Sequence, residues 1–86
     1  MNELDLLNLL NNKFSIVIKK EQYDMIFFDP SIGLKARDML ILISEAEKTF
    51  GVHFSECELT NKDTYTFNGF LVAIENSMES RNNKNV

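Results

Sequence analysis

Cys57 and His53 are the residues most able to do chemistry, and each is the only one of its type in the chain. One thiol and one imidazole cannot by themselves build a zinc site, and a lone cysteine forms no internal disulfide. Cys57 lies in Ser55-Glu56-Cys57-Glu58, a capping-box pattern opening at most a turn or two of helix. With no base spaced to activate it, the thiol reads as a small packed apolar residue. His53, between Val52 and Phe54, reads as a solvent-facing residue in an extended link. A general base needs a nucleophile, and none is identifiable beside it. Tyr23, Phe27 and Phe28 could stack nucleic-acid bases, but no basic patch accompanies them. They are expected to fill the core instead. Lys19-Lys20 is too short a basic run to mean more than a solvated turn. No nucleophile–base pair, metal cluster or phosphate loop is present, so an enzyme is not expected.

The elements that would position these residues belong to a small chain. Its 86 residues suit one domain, and 44% apolar with 26% charged residues is ordinary globular composition. A net charge of −4 argues against nucleic acid or an anionic membrane as the main partner. The apolar run Met39–Ile43 is far too short to span a bilayer. Met1-Asn2-Glu3-Leu4-Asp5 does not read as a signal peptide, so a cytoplasmic location is expected.

Helical periodicity organises the rest. Asn2 is a good N-cap, and Leu6, Leu7, Leu10 and Phe14 fall on one face, with Leu4 and Leu9 off that stripe. Phe14–Ile18 carries β-branched residues but has no partner strand, so it reads as a helix end followed by extended chain. Residues 19–34 form a long connection, apolar enough from Met25 to Ile32 to lie against the core. Asp29-Pro30 and Gly33 mark changes of direction within it. A second helix, Lys35–Phe50, is closed by Gly51 and turns Met39, Leu42, Ile43, Ala46 and Phe50 inward. Ile41 projects away from that face, with Asp38, Glu45 and Lys48. After the short capped helix, Thr64-Tyr65-Thr66 is an extended approach to a last helix capped by Thr66. Phe67, Phe70, Leu71, Ile74 and Met78 form its stripe, and Gly69 within it costs about 1 kcal/mol relative to alanine. The expectation is an all-α, four-helix bundle over residues 1–79, with three longer helices, one short helix and a long first loop. Residues 80–86, with nothing to bury, should fray.

In order and spacing, Gly33-Leu34-Lys35-Ala36-Arg37-Asp38, Phe50-Gly51-Val52-His53-Phe54 and Thr66–Ile74 resemble the acyl carrier protein family. That family reads Gly-Leu-Asp-Ser-Leu-Asp where its second helix begins, and its serine carries the 4′-phosphopantetheine arm. Here Ala36 stands at that position, between Lys35 and Arg37. Alanine has no hydroxyl, so no phosphodiester can form there and no cofactor is expected. Ser31, in Asp29-Pro30-Ser31-Ile32, imitates the motif superficially. Using it would insert five residues before Phe50 and rotate the helix by about 140°. Ser44, in mid-helix, is a still poorer attachment point.

An acyl-carrier outline without the serine is similar to the acyl carrier-related proteins of bacterial peptide maturation systems. That resemblance implies a non-enzymatic helper, monomeric, that docks to modifying enzymes acting on ribosomally made peptides. Family members are recognised through an acidic second helix, whereas the corresponding stretch here is nearly balanced in charge. Its contact surface is expected within Ser31–Ser44, with Arg37, Leu40, Ile41 and Ser44 at the partner. The alternative is a true acyl or peptidyl carrier with 4′-phosphopantetheine on a non-standard serine such as Ser31.

Overall fold

The leucines of the first helix set how it lies. In the computed structural model, which describes the backbone of residues 2–83 and the side chains of residues 2–78, α1 spans Asn2–Phe14. It packs against the second and last helices and buries Leu6, Leu9 and Leu10, leaving Leu4 exposed. Leu9 was expected outside the apolar stripe. Two neighbouring helices cover a wider arc than one, so a residue at the edge of the stripe is buried too. Asn2 stands inside the helix rather than ahead of it. Ser15 ends the helix in the left-handed region, φ 57°, with its N–H donated to the Asn11 carbonyl.

The chain then runs extended to a short 3-10 turn, Lys20–Gln22, and lies across the start of the last helix. Ile26 and Thr66 form an isolated antiparallel bridge, and the Phe27 N–H donates to the Tyr65 carbonyl at 2.7 Å. Tyr23 sits with its ring 4.3 Å from that of Phe67 while its hydroxyl donates to Glu3 on α1. Phe27 is fully buried, edge-on to Phe70. Phe28, expected in the core, stays 38% exposed beside Tyr65. The two are the central residues of a turn that the Asp29 N–H closes on the Ile26 carbonyl, and only Phe27 is turned into the core.

Helix α2 spans Ala36–Phe50 behind Lys35, an extended N-cap whose side chain can accept no hydrogen bond. It buries Met39, Leu42 and Ala46, half-buries Ile43 and Phe50, and closes on Gly51 at φ 66°. Ser55 caps α3, Glu56–Thr60: its Oγ accepts from the Glu58 N–H while Glu58 Oε1 accepts from the Ser55 N–H.

The expected extended approach at Thr64–Tyr65 is instead a 3-10 turn, Lys62–Tyr65, and only Thr66 is extended. The Asn61 side chain starts that turn by accepting from the Asp63 N–H. Thr64 and Tyr65 tie it to α3 by donating their hydroxyls to the Glu58 and Leu59 carbonyls. Helix α4 spans Phe67–Asn83, capped by Thr66 Oγ1, which accepts from the Gly69 N–H at 3.0 Å. It turns Phe67, Phe70, Ala73 and Ile74 into the core. Its helical backbone continues past Glu79, where the apolar pattern stops; the rest of the expected tail, residues 84–86, lies outside the described residues.

The described residues form a small all-α bundle of four helices, three longer and one short, with a long first loop.

Candidate functional site

Ala36 is the first residue of α2 and is exposed, between the exposed side chains of Lys35 and Arg37. Each later side chain of the helix takes its direction from a rotation of about 100° per residue. The buried side chains Met39, Leu42 and Ala46 define the inward direction. Opposite them fall Arg37, Ile41, Ser44 and Lys48, with Leu40 at the edge. All five are exposed: Leu40 retains 70% of its accessible surface and Ile41 46%. The structure thus brings Arg37, Leu40, Ile41 and Ser44 together on one outward strip.

The helix carries four acidic or basic side chains between Asp38 and Lys48, and the three carboxylates avoid that strip. Asp38 is half-buried on a flank. Glu45 leans toward α1, where Lys13 Nζ lies 3.8 Å from its carboxylate, with Lys48 Nζ at 4.0 Å. Glu47 Oε2 accepts from the Phe54 N–H at 3.0 Å and lies 3.3 Å from His53 Nδ1. Lys48 belongs to the strip although it was not among the expected contact residues. Its eleven-residue spacing from Arg37, three full helical turns, was the available signal.

Ser31 does not cap α2; Lys35 does. The serine sits in the turn opened by Asp29-Pro30, its N–H and Oγ both donating to Asp29 Oδ1 at 2.9 and 2.8 Å. The donated N–H, then the hydroxyl, hold the Asp29 carboxyl below its ordinary range. The Ile32 and Gly33 N–H groups donate to the Asp29 carbonyl, and Gly33 at φ 83° turns the chain toward α2.

Cys57 is exposed, not packed as expected. A helix of five residues buries one side only, and Leu59, half-buried against the core, takes it. Cys57, two residues earlier and about 200° around, faces out. It lies at the rim of a groove of about 430 Å³ between α3 and α4, with Glu58, Asp63, Val72 and Asn76 along its walls. Glu58 Oε1 accepts from Ser55 and from the buried Ser77, and Oε2 is enclosed without a partner. His53 is solvent-facing, its side chain 92% exposed.

Among the described residues, no three or more His, Cys, Asp or Glu side chains are grouped to hold a metal ion. No described helix is long and apolar enough to cross a membrane. The α2 strip offers one hydroxyl, two cations and two large apolar side chains, a set suited to contact rather than to bond-making. No protein-family model matches the chain, and no curated protein or solved structure matches it either.

Proposed function

We propose that this chain is a non-enzymatic docking protein of acyl-carrier outline that carries no 4′-phosphopantetheine and works through the outward strip of α2. The observation that carries the reading is the pairing of Ala36 at the helix start with solvent-exposed Leu40 and Ile41. Where a carrier would root its arm there is a methyl group, and where a helix would turn polar residues to water there are two large apolar ones. Apolar side chains beside an arginine are the composition of interface centres. The partners are modifying or biosynthetic enzymes in the cytoplasm, met by a monomer; the resemblance to acyl carrier-related proteins supports ribosomal peptide maturation as their setting.

The second reading, a carrier with its arm on Ser31, is favoured by the exposure of that serine and the carboxylate 2.8 Å from its Oγ. Against it stands the serine's place in a turn ahead of Gly33 rather than at the head of α2.

Differential capture tests the docking reading. Immobilised protein is exposed to native extract beside Ile41→Asp, Leu40→Asp and Leu4→Asp variants, Leu4 being an exposed leucine on α1. The reading requires an enzyme retained by the parent protein and by Leu4→Asp, and lost with both α2 variants. Equal retention by all four proteins would refute it, provided circular dichroism shows the helices intact.

A further inference from the structure

The outward strip of α2 is cationic in a chain that is anionic as a whole. Arg37 lies at one end and Lys48 at the other, with the exposed Lys35 just ahead of Arg37 and Leu40 and Ile41 between. The helix carboxylates are turned to the flanks: Glu45 lies between Lys13 and Lys48, 3.8 and 4.0 Å from their Nζ atoms, Glu47 accepts from the Phe54 N–H, and Asp38 is half-buried. The near-balance of charge along the helix therefore conceals a segregated one. From this segregation we infer that the partner of this strip is a protein surface with an apolar socket rimmed by carboxylates. The inference rests on the docking reading above and adds the partner's charge.

A second copy of the chain does not suit the strip. In an antiparallel α2–α2 pair related by a two-fold axis near Ile41–Ser44, Arg37 of one copy meets Lys48 of the other at both ends. Like charges brought together on binding cost affinity. A polyanion suits the strip locally but not the molecule, because thirteen acidic residues against nine basic ones repel an extended anionic surface. An acidic rim around a socket engages only the strip. Such a pairing speeds encounter and weakens with salt, since the charges lie at the edge of the contact while the apolar pair sits at its centre.

The test titrates isotope-labelled protein, followed by amide NMR at low salt, with two amphipathic peptides of one apolar pattern. One carries glutamates at its polar positions and the other lysines. Phosphatidylglycerol-containing vesicles and a DNA duplex form two further arms. The glutamate peptide should perturb amides of residues 35–48, on the order of tenfold more tightly than the lysine peptide, and lose affinity as salt is added. Combining Arg37→Glu with Lys48→Glu should invert that preference while leaving amides outside α2 unmoved. Should the lysine peptide occupy the same strip equally or more tightly, docking stands and the acidic partner falls. Tighter binding of vesicles or DNA to the strip overturns the inference in favour of a polyanion. If neither peptide perturbs α2, both the inference and the docking reading fail.

Discussion

Gly69 lies directly beneath the Asp63 carbonyl: a Cβ added to Gly69 would land on that carbonyl oxygen and 2.9 Å from Thr66 Oγ1. The 3-10 turn Lys62–Tyr65 thus rests on the first turn of α4, and glycine is the residue that permits it. Helix propensity alone says the reverse, that alanine here would gain about 1 kcal/mol. The obstruction is backbone, which cannot swing aside. Gly69→Ala should therefore lower stability by about 2 kcal/mol or more, read from the urea midpoint. An increase in stability would show that the turn does not sit so close.

Ser15 holds a left-handed backbone at φ 57°, a region that costs a side-chain-bearing residue about 1–2 kcal/mol. The side chain is exposed, so removing it uncovers nothing in the core. Glycine returns part of the gain through its greater freedom in the unfolded chain. Ser15→Gly should raise stability by about 0.5–1 kcal/mol in thermal or urea unfolding, and Ser15→Val should lower it.

Phe27 and Phe28 are neighbours in the sequence with opposite surroundings. Phe27→Ala should cost about 3–5 kcal/mol, because the ring is fully buried and edge-on to Phe70 of α4. Phe28→Ala should cost less than about 1.5 kcal/mol, since the ring remains partly in water. Equal losses from the two changes would contradict the side assigned to each ring.

Asp29 supplies a pH dependence. Its folded-state pKa is depressed by the two hydrogen bonds from Ser31. The stability they confer is therefore fully present above the unfolded value, about 3.9, and is lost as pH falls through the folded value. Asp29→Asn should be less stable than the parent protein at neutral pH, and the gap should begin to narrow near pH 4, about the unfolded value, and close as pH falls through the folded one. A gap that persists unchanged to pH 2 would mean that the variant removes something other than an ionised acceptor.

Much of this fold was readable because its signals are local and periodic. The Ser55–Glu58 box, the Thr66 cap and the Gly51 closure each need only a few residues in register, and each forms. The burial of α2 comes from spacing alone, and with it the exposure of Leu40 and Ile41. The features that escaped depend on neighbours distant in sequence. Leu9 is buried because two helices flank α1, and Cys57 is exposed because a five-residue helix spends its inner side on Leu59. Gly69 reads as a weak point in a helix unless Asp63 is known to lie on it. Lys48 carried its signal in plain periodicity, but the order of charges along a helix hides which ones share a face.

If α2, which begins on the methyl group of Ala36, serves as a contact surface without a tethered arm, the protein takes up no arm from coenzyme A. The most direct measurement incubates the protein with coenzyme A and a broad-specificity phosphopantetheinyl transferase, beside an Ala36→Ser variant and an authentic carrier, and records intact masses. The authentic carrier should gain the mass of the arm while the parent protein gains none; arm mass on Ala36→Ser would further mark the start of α2 as the lost attachment point. A parent protein that gains the arm, with fragmentation placing it on Ser31 or another serine, would contradict the claim.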